Sequence, residues 1–229
     1  ISGIGEIDQP LTTILVMDIS GSMNSVGKLK AAKEAARAYV KQTRPNDQTG
    51  LLAFNTQMNY LQPITNDQDK LIIAINSLTA DKDTALYDAL IQAITIMEST
   101  EGRKAIIALT DGMDNRSKKS PLDVIQQIGP AGLSISTIGL GDPQYSYGVL
   151  AGLDEAALTT LAESAGGVYG YANEPKALTK LYERYGRALQ SEVAITYLSP
   201  ATLRDGVNRS LTVSLTKNGA PANEAEKTL

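Results

Sequence analysis

The sequence predicts an α/β domain: a doubly wound, mainly parallel sheet with helices on both faces, plus a small antiparallel β appendage from the chain ends. Three observations predict it. From residue 12 to 190, apolar runs of strand length alternate with amphipathic runs of helix length, the pattern of successive βαβ units. Two of the strand-like runs, 12–18 and 104–110, are almost continuously apolar rather than alternating, as expected where both faces of a strand are buried. Beyond residue 190 the helical period stops and short alternating runs replace it.

In chain order, Thr12–Asp18 reads as a central strand. Lys28–Thr43 reads as a helix, with Leu29, Ala32, Ala36, Tyr39 and Val40 on one face and Pro45 beyond its end. Gly50–Phe54 and Met58–Ile64 form a pair of short strands around Asn55–Gln57, a hairpin at the sheet edge. Asp67–Leu78 and Ala85–Ser99 are helical, the second with Leu86, Leu90, Ala93, Ile94 and Met97 at core spacing. Lys104–Thr110 is the second buried strand. Leu122–Ile128 is a helix with Pro121 at its start.

Leu133–Gly139 is another strand, followed by a longer loop at 141–152. Asp154–Ala165 is a helix closed by Gly166-Gly167, Val168–Tyr171 a last short strand, and Pro175–Gln190 a helix burying Leu178, Leu181, Tyr182, Tyr185 and Leu189. The domain is thereby expected over 11–190, with an N-terminal arm at 1–10. A β extension at 191–218 reads as the start of a following β domain. It comprises Val193–Leu198 and Leu211–Leu215 with turn residues Pro200 and Asp205-Gly206 between them. The Ile1–Gln9 segment is expected to pair with these strands, since a lone two-stranded ribbon is marginal. The Ala/Asn/Glu-rich tail at 219–229 is expected to fray.

Composition narrows function. The 229 residues carry a net charge of −4 and no basic stripe, so nucleic acid is not an expected partner. Histidine and cysteine are absent, which removes disulfides, Cys- or His-ligated zinc, imidazole acid–base chemistry and Ser–His–Asp triads. No apolar run reaches the roughly 18 residues of a spanning helix. The chain begins at Ile1 rather than Met, so it is expected to be a piece of a longer protein.

The most informative stretch is Ile14–Ser22, ILVMDISGS. A strand delivers Asp18, and Ser20 and Ser22 follow at alternate positions while Gly21 lets the backbone turn. One carboxylate and two hydroxyls make an all-oxygen half-shell for a hard divalent cation. Taken alone, these three residues read equally well as a capping or turn cluster. Asp111 ends the second buried strand, and Thr84 lies in the loop before a helix, placed to cap that helix, to face the site, or to do both. Ligands of open parallel sheets bind outside the carboxyl ends of the strands, where Asp18 and Asp111 both fall.

These segments resemble the von Willebrand factor type A family. Asp18-Ile19-Ser20-Gly21-Ser22 resembles its D-x-S-x-S motif, Thr84 its lone threonine and Thr110-Asp111-Gly112 its T-D-G. Together they are similar in order and spacing to the metal-ion-dependent adhesion site. KLKAAKEAARAYV, TALYDALIQA and STIGLGD support the match, which covers residues 11–190 and is closest to the family's bacterial branch. The resemblance implies a Rossmann-like fold and a non-enzymatic module. Ser20, Ser22 and Thr84 would lie near a bound Mg²⁺, or Mn²⁺ or Ca²⁺, with Asp18 and Asp111 in or beside its shell. An Asp or Glu from a partner protein would complete the coordination. The linked strands at 193–215 read as the start of a β domain in an exported, cell-surface parent protein; the alternative is an intracellular assembly subunit working with an ATPase, with cytoplasmic location.

One departure is Asp83, where such domains often carry glycine. It either faces the ion, in the ligand's place, or points to solvent; Asp114 and Asn115 either touch the site or shape the turn. Tyr145 and Tyr147 fall on the same rim, as ligand contacts or as packing against a helix. Two look-alikes fail. The phosphate-loop motif G-x-x-x-x-G-K-[ST] needs four residues between its glycines, whereas five separate Gly21 from Gly27-Lys28, and Leu29 stands where the hydroxyl belongs. No nucleotide is therefore expected. An aspartyl-nucleophile phosphotransferase needs a second acid two residues after Asp18, where this chain has Ser20.

Overall fold

The computed structural model describes residues 3–6, 9–25, 27–128, 133–141, 152–191, 193–196, 210–217 and 220–228, with side-chain environments for 9–25, 27–128, 133–141 and 152–191. The chain divides into two units, Ile7–Glu192 and the two chain ends, Ile1–Glu6 with Val193–Leu229.

The chain-end unit holds two antiparallel pairs. β1 (Gly3–Glu6) pairs with β8 (Val193–Thr196), Gly3 opposite Thr196 and Glu6 opposite Val193. β9 (Ser210–Lys217) pairs with β10 (Ala220–Thr228). The frayed tail expected over 219–229 is thus corrected: most of it is a strand. The reason is in the sequence, because Asn218-Gly219 separates β9 from β10, and Asn-Gly is the strongest two-residue hairpin signal. That signal outweighs the weak strand propensity of the Ala/Glu-rich segment after it.

The larger unit is one six-stranded sheet: β2 (Leu11–Asp18), β3 (Gln48–Phe54), β4 (Met58–Thr65), β5 (Arg103–Thr110), β6 (Leu133–Leu140) and β7 (Tyr169–Ala172). Their spatial order is β4-β3-β2-β5-β6-β7. All neighbours run parallel except the β3–β4 hairpin. This is the doubly wound, Rossmann-like arrangement, in which strand order reverses beside the first strand of the sheet. Here that switch point lies between β2, whose last residue is Asp18, and β5, which Asp111 follows.

Every residue of β2 is buried, as are all but one or two of β3, β5 and β6, because helices cover both faces. On one face Leu15, Met17, Leu51 and Ile107 pack with α1 (Lys28–Gln42), α2 (Gln68–Ser77) and α6 (Ala177–Gln190). On the other, Ile14, Val16, Leu52 and Ile106 pack with α3 (Leu86–Glu98), α4 (Pro121–Gln127) and α5 (Glu155–Ser164). The alternation along β2 between the two sets is the two-residue period of a strand. Between α1 and α6, Tyr39 and Tyr182 meet edge to face with ring centroids 6.3 Å apart, a favoured aromatic geometry.

Element ends differ from the sequence reading by one or two residues. β3 starts at Gln48 rather than Gly50, since Asp47 accepts the backbone N–H of Leu11 at 2.9 Å and sets the two strands in register from their first residues. A short 3₁₀ turn, Gly21–Asn24, lies between β2 and α1. No helix of the described residues is long and apolar enough to cross a membrane.

Candidate metal centre

The carboxyl end of β2 is extended past the strand by backbone contacts. Ile19 N–H donates to Phe54 C=O at 2.8 Å, and Ile19 C=O accepts from Asp81 at 2.8 Å. Gly21 N–H then donates to Lys82 C=O at 2.7 Å. A Cβ on Gly21 would lie 3.3 Å from that carbonyl oxygen, so glycine permits the approach. Lys82 itself holds φ = 70°, the one non-glycine residue with positive φ in the described chain. Its amide donates to Asp81 Oδ1 at 2.8 Å and its ammonium to Gln57 Oε1 at 2.8 Å. The 79–85 loop is therefore clamped against the D-x-S-x-S turn.

Asp18 is fully buried at the last position of β2. Its Oδ1 accepts the Ser20 N–H at 2.7 Å and its Oδ2 the Thr110 hydroxyl at 2.7 Å. Burial pushes its carboxyl up to about 6; bonds from Ser20 and Thr110 act against that, and the charge of Asp111 adds to it. The second carboxylate, Asp111, is also buried and lies across the switch point. Ser20 Oγ and Ser22 Oγ are 3.0 Å apart, and Ser22 Oγ donates to Asp111 Oδ1 at 2.6 Å. On its far side, Asp111 Oδ2 accepts from Lys28 Nζ at 2.6 Å.

Thr84 is buried at the same rim. Its amide donates to Asn115 Oδ1 at 3.1 Å, and its carbonyl accepts from the amides of Asn115 and Arg116, both at 3.1 Å. Asn115 thereby ties the threonine segment to the loop after T-D-G. The helix-capping task open to Thr84 is done from that loop instead. Asp114 Oδ2 accepts the Tyr87 N–H at 3.0 Å and Ser117 Oγ the Asp88 N–H at 3.0 Å, satisfying first-turn donors of α3.

Of the two alternatives for Asp114 and Asn115, the geometry thus displays the turn-shaping one. Asp83 is paired with Arg116, whose Nε and Nη2 donate to its Oδ2 at 2.8 and 2.7 Å. Tyr145 and Tyr147 lie outside the described residues.

The donor set fits a hard cation. Adjacent corners of an octahedron around an ion at 2.0–2.1 Å are about 2.9 Å apart, close to the oxygen separations of 3.0 and 2.6 Å at Ser20–Ser22 and Ser22–Asp111. The set is rich in hydroxyls; among the described residues no three carboxylate or imidazole groups cluster as a metal cage. Sequence reasoning missed Lys28 as a partner of Asp111, Arg116 as a partner of Asp83, and Thr110 as a donor to Asp18. Lys28 did stand out at the start of α1, but only as part of a failed nucleotide motif.

Residues 13–113, which carry D-x-S-x-S, Thr84 and T-D-G, match the model of the von Willebrand factor type A domain. The type A fold extends beyond this stretch. A von Willebrand factor type A structure from Catenulispora acidiphila superposes with a TM-score of 0.68 over 79% of this chain and 43% of its own, at 21% identity. The von Willebrand factor domain of the type V pili tip protein Mfa5 from Porphyromonas gingivalis superposes with a TM-score of 0.62 over 80% of this chain and 96% of its own, at 16% identity. At these identities the likeness concerns the fold. The calcium-activated chloride channel regulator 3A-1 of Mus musculus is 30% identical over 181 residues, 76% of this chain. The chain spans 18% of that relative's length.

Proposed function

We propose that the type A domain is a metal-dependent protein-binding module, without enzymatic activity. Its centre is the rim formed by Asp18, Ser20, Ser22, Thr84 and Asp111. The observation that carries this reading is the group of oxygens at the switch point: two buried carboxylates at the ends of neighbouring strands, with the Ser20 and Ser22 hydroxyls 3.0 Å apart and the Ser22 hydroxyl 2.6 Å from Asp111. A divalent cation held there supplies a Lewis-acidic coordination position to an acidic side chain of a partner protein. The domain's residues do the rest. Ser20 and Ser22 offer neutral oxygens, which leave the centre undercharged and favour an incoming carboxylate. Asp18, fixed by Ser20 and Thr110, and Asp111 provide the negative charge.

The oxygen donors suit Mg²⁺, Mn²⁺ or Ca²⁺ by their chemistry. A cell-surface setting accords with a relative fold on a pilus tip protein.

Isothermal titration of metal-stripped protein with Mg²⁺, Mn²⁺ and Ca²⁺ tests this, beside a variant carrying Asp18→Ala and Ser20→Ala. One saturable site, lost in the variant, is expected. A wild type that takes up none of the three ions refutes it.

A further inference from the structure

Lys28 is the side chain at this rim that the metal reading leaves without a role. It is the first residue of α1, preceded by Gly27 at φ = 77°. A cation is disfavoured at a helix N-terminus, where the dipole is positive, so the helix gains nothing from a lysine there. Its ammonium instead reaches Asp111 Oδ2 at 2.6 Å, with the lysine side chain 23% exposed and the aspartate side chain fully buried. Room for it is made by Gly141, at φ = 114°, where an added Cβ would stand 3.3 Å from Nζ.

The two oxygens of Asp111 thus have different partners: Oδ1 receives the Ser22 hydroxyl, and Oδ2 receives Lys28. We propose that Lys28 is a built-in counter-cation that sets how tightly the centre holds a metal and how strongly the loaded centre draws an anion. This rests on the metal reading above.

Charge balance carries the inference. Asp18 and Asp111 contribute two negative charges when ionised, and Lys28 offsets one of them. A divalent ion then leaves the centre with one positive charge rather than none, which disfavours the bare metal and favours a carboxylate ligand. Removing the ammonium reverses both effects. A lysine that merely anchored the start of α1 would, when removed, loosen the rim and weaken both.

The test uses Lys28→Met, with Lys28→Gln as a second uncharged variant should the first fail to fold. Metal-stripped protein is titrated with Mn²⁺ alone, and the Mn²⁺-loaded protein with acetate. Both variants should bind Mn²⁺ about tenfold tighter than the wild type, the order expected for deleting one unit charge beside a partly buried ion. Acetate should bind the loaded variants about threefold more weakly, or worse. Mn²⁺ binding that is unchanged or weaker in the variants, with a wild type that does bind, overturns the role of Lys28 and leaves the metal reading standing. Mn²⁺ binding by neither wild type nor variants overturns both.

Discussion

Asp18 and Asp47 are buried carboxylates at opposite ends of the same pair of parallel strands, and the fold treats them in opposite ways. Asp47, just before β3, accepts from the Leu11 amide at 2.9 Å, the Arg44 amide at 3.2 Å and two guanidinium nitrogens of Arg44 at 3.0 Å each. Burial alone would raise its carboxyl. The bonds and charge of Arg44, with the amide of Leu11, outweigh that and hold it below the usual carboxylate range. Asp18, at the end of β2, receives one amide and one hydroxyl, with no cationic side chain bonded to it among the described residues, and burial prevails, pushing it up to about 6. Asp47 completes its partners within the chain and is structural. Asp18 is left short of positive charge where strand order reverses, and that shortage is what a cation-binding site needs.

The largest effect that sharpens this contrast is on stability at the structural end. Asp47→Asn should cost about 2 kcal/mol in urea unfolding at neutral pH, because Arg44 loses its charge partner and a buried acceptor is replaced by a donor. The sign with pH follows from the lowered carboxyl. Its contribution is complete above the unfolded value of about 3.9 and is lost as pH falls through the lower folded value. Wild type and Asp47→Asn should therefore converge on acidification below about pH 4.

At the other end, Asp18→Asn should change the stability of the metal-free protein by less than about 1 kcal/mol, since a neutral isostere escapes the desolvation cost while keeping the Ser20 bond. A loss as large as that of Asp47→Asn would break the comparison. The smallest effect is expected at the exposed pair. Arg116→Ala should shift stability by no more than about 0.5 kcal/mol in the same assay, since both side chains, 60% and 46% exposed, are in contact with water.

Much of this could be read from the chain alone where the information is local. Strand and helix positions follow from apolar spacing, and D-x-S-x-S declares itself because strand, turn and oxygens are adjacent in sequence. The antiparallel β10 was also legible through Asn218-Gly219, and was missed because its residues are poor strand formers. The role of Asp114 was not legible. Its partner Tyr87 lies 27 residues away, and nothing in a T-D-G-M-D-N string says which helix it will cap.

What the sequence by itself determined is the strands and helices of the sheet domain, the burial of β2 and β5, and which oxygens arrive at strand ends. Those properties depend on neighbours within a few residues. Only the tertiary structure decided that β2 lies beside β5, that Lys28 spans 83 positions to reach Asp111, and that Arg116 spans 33 to take Asp83. Such pairings are set by strand order and register, and long-range charge partners are chosen by the packing of whole helices on the sheet. No periodicity along the chain encodes them.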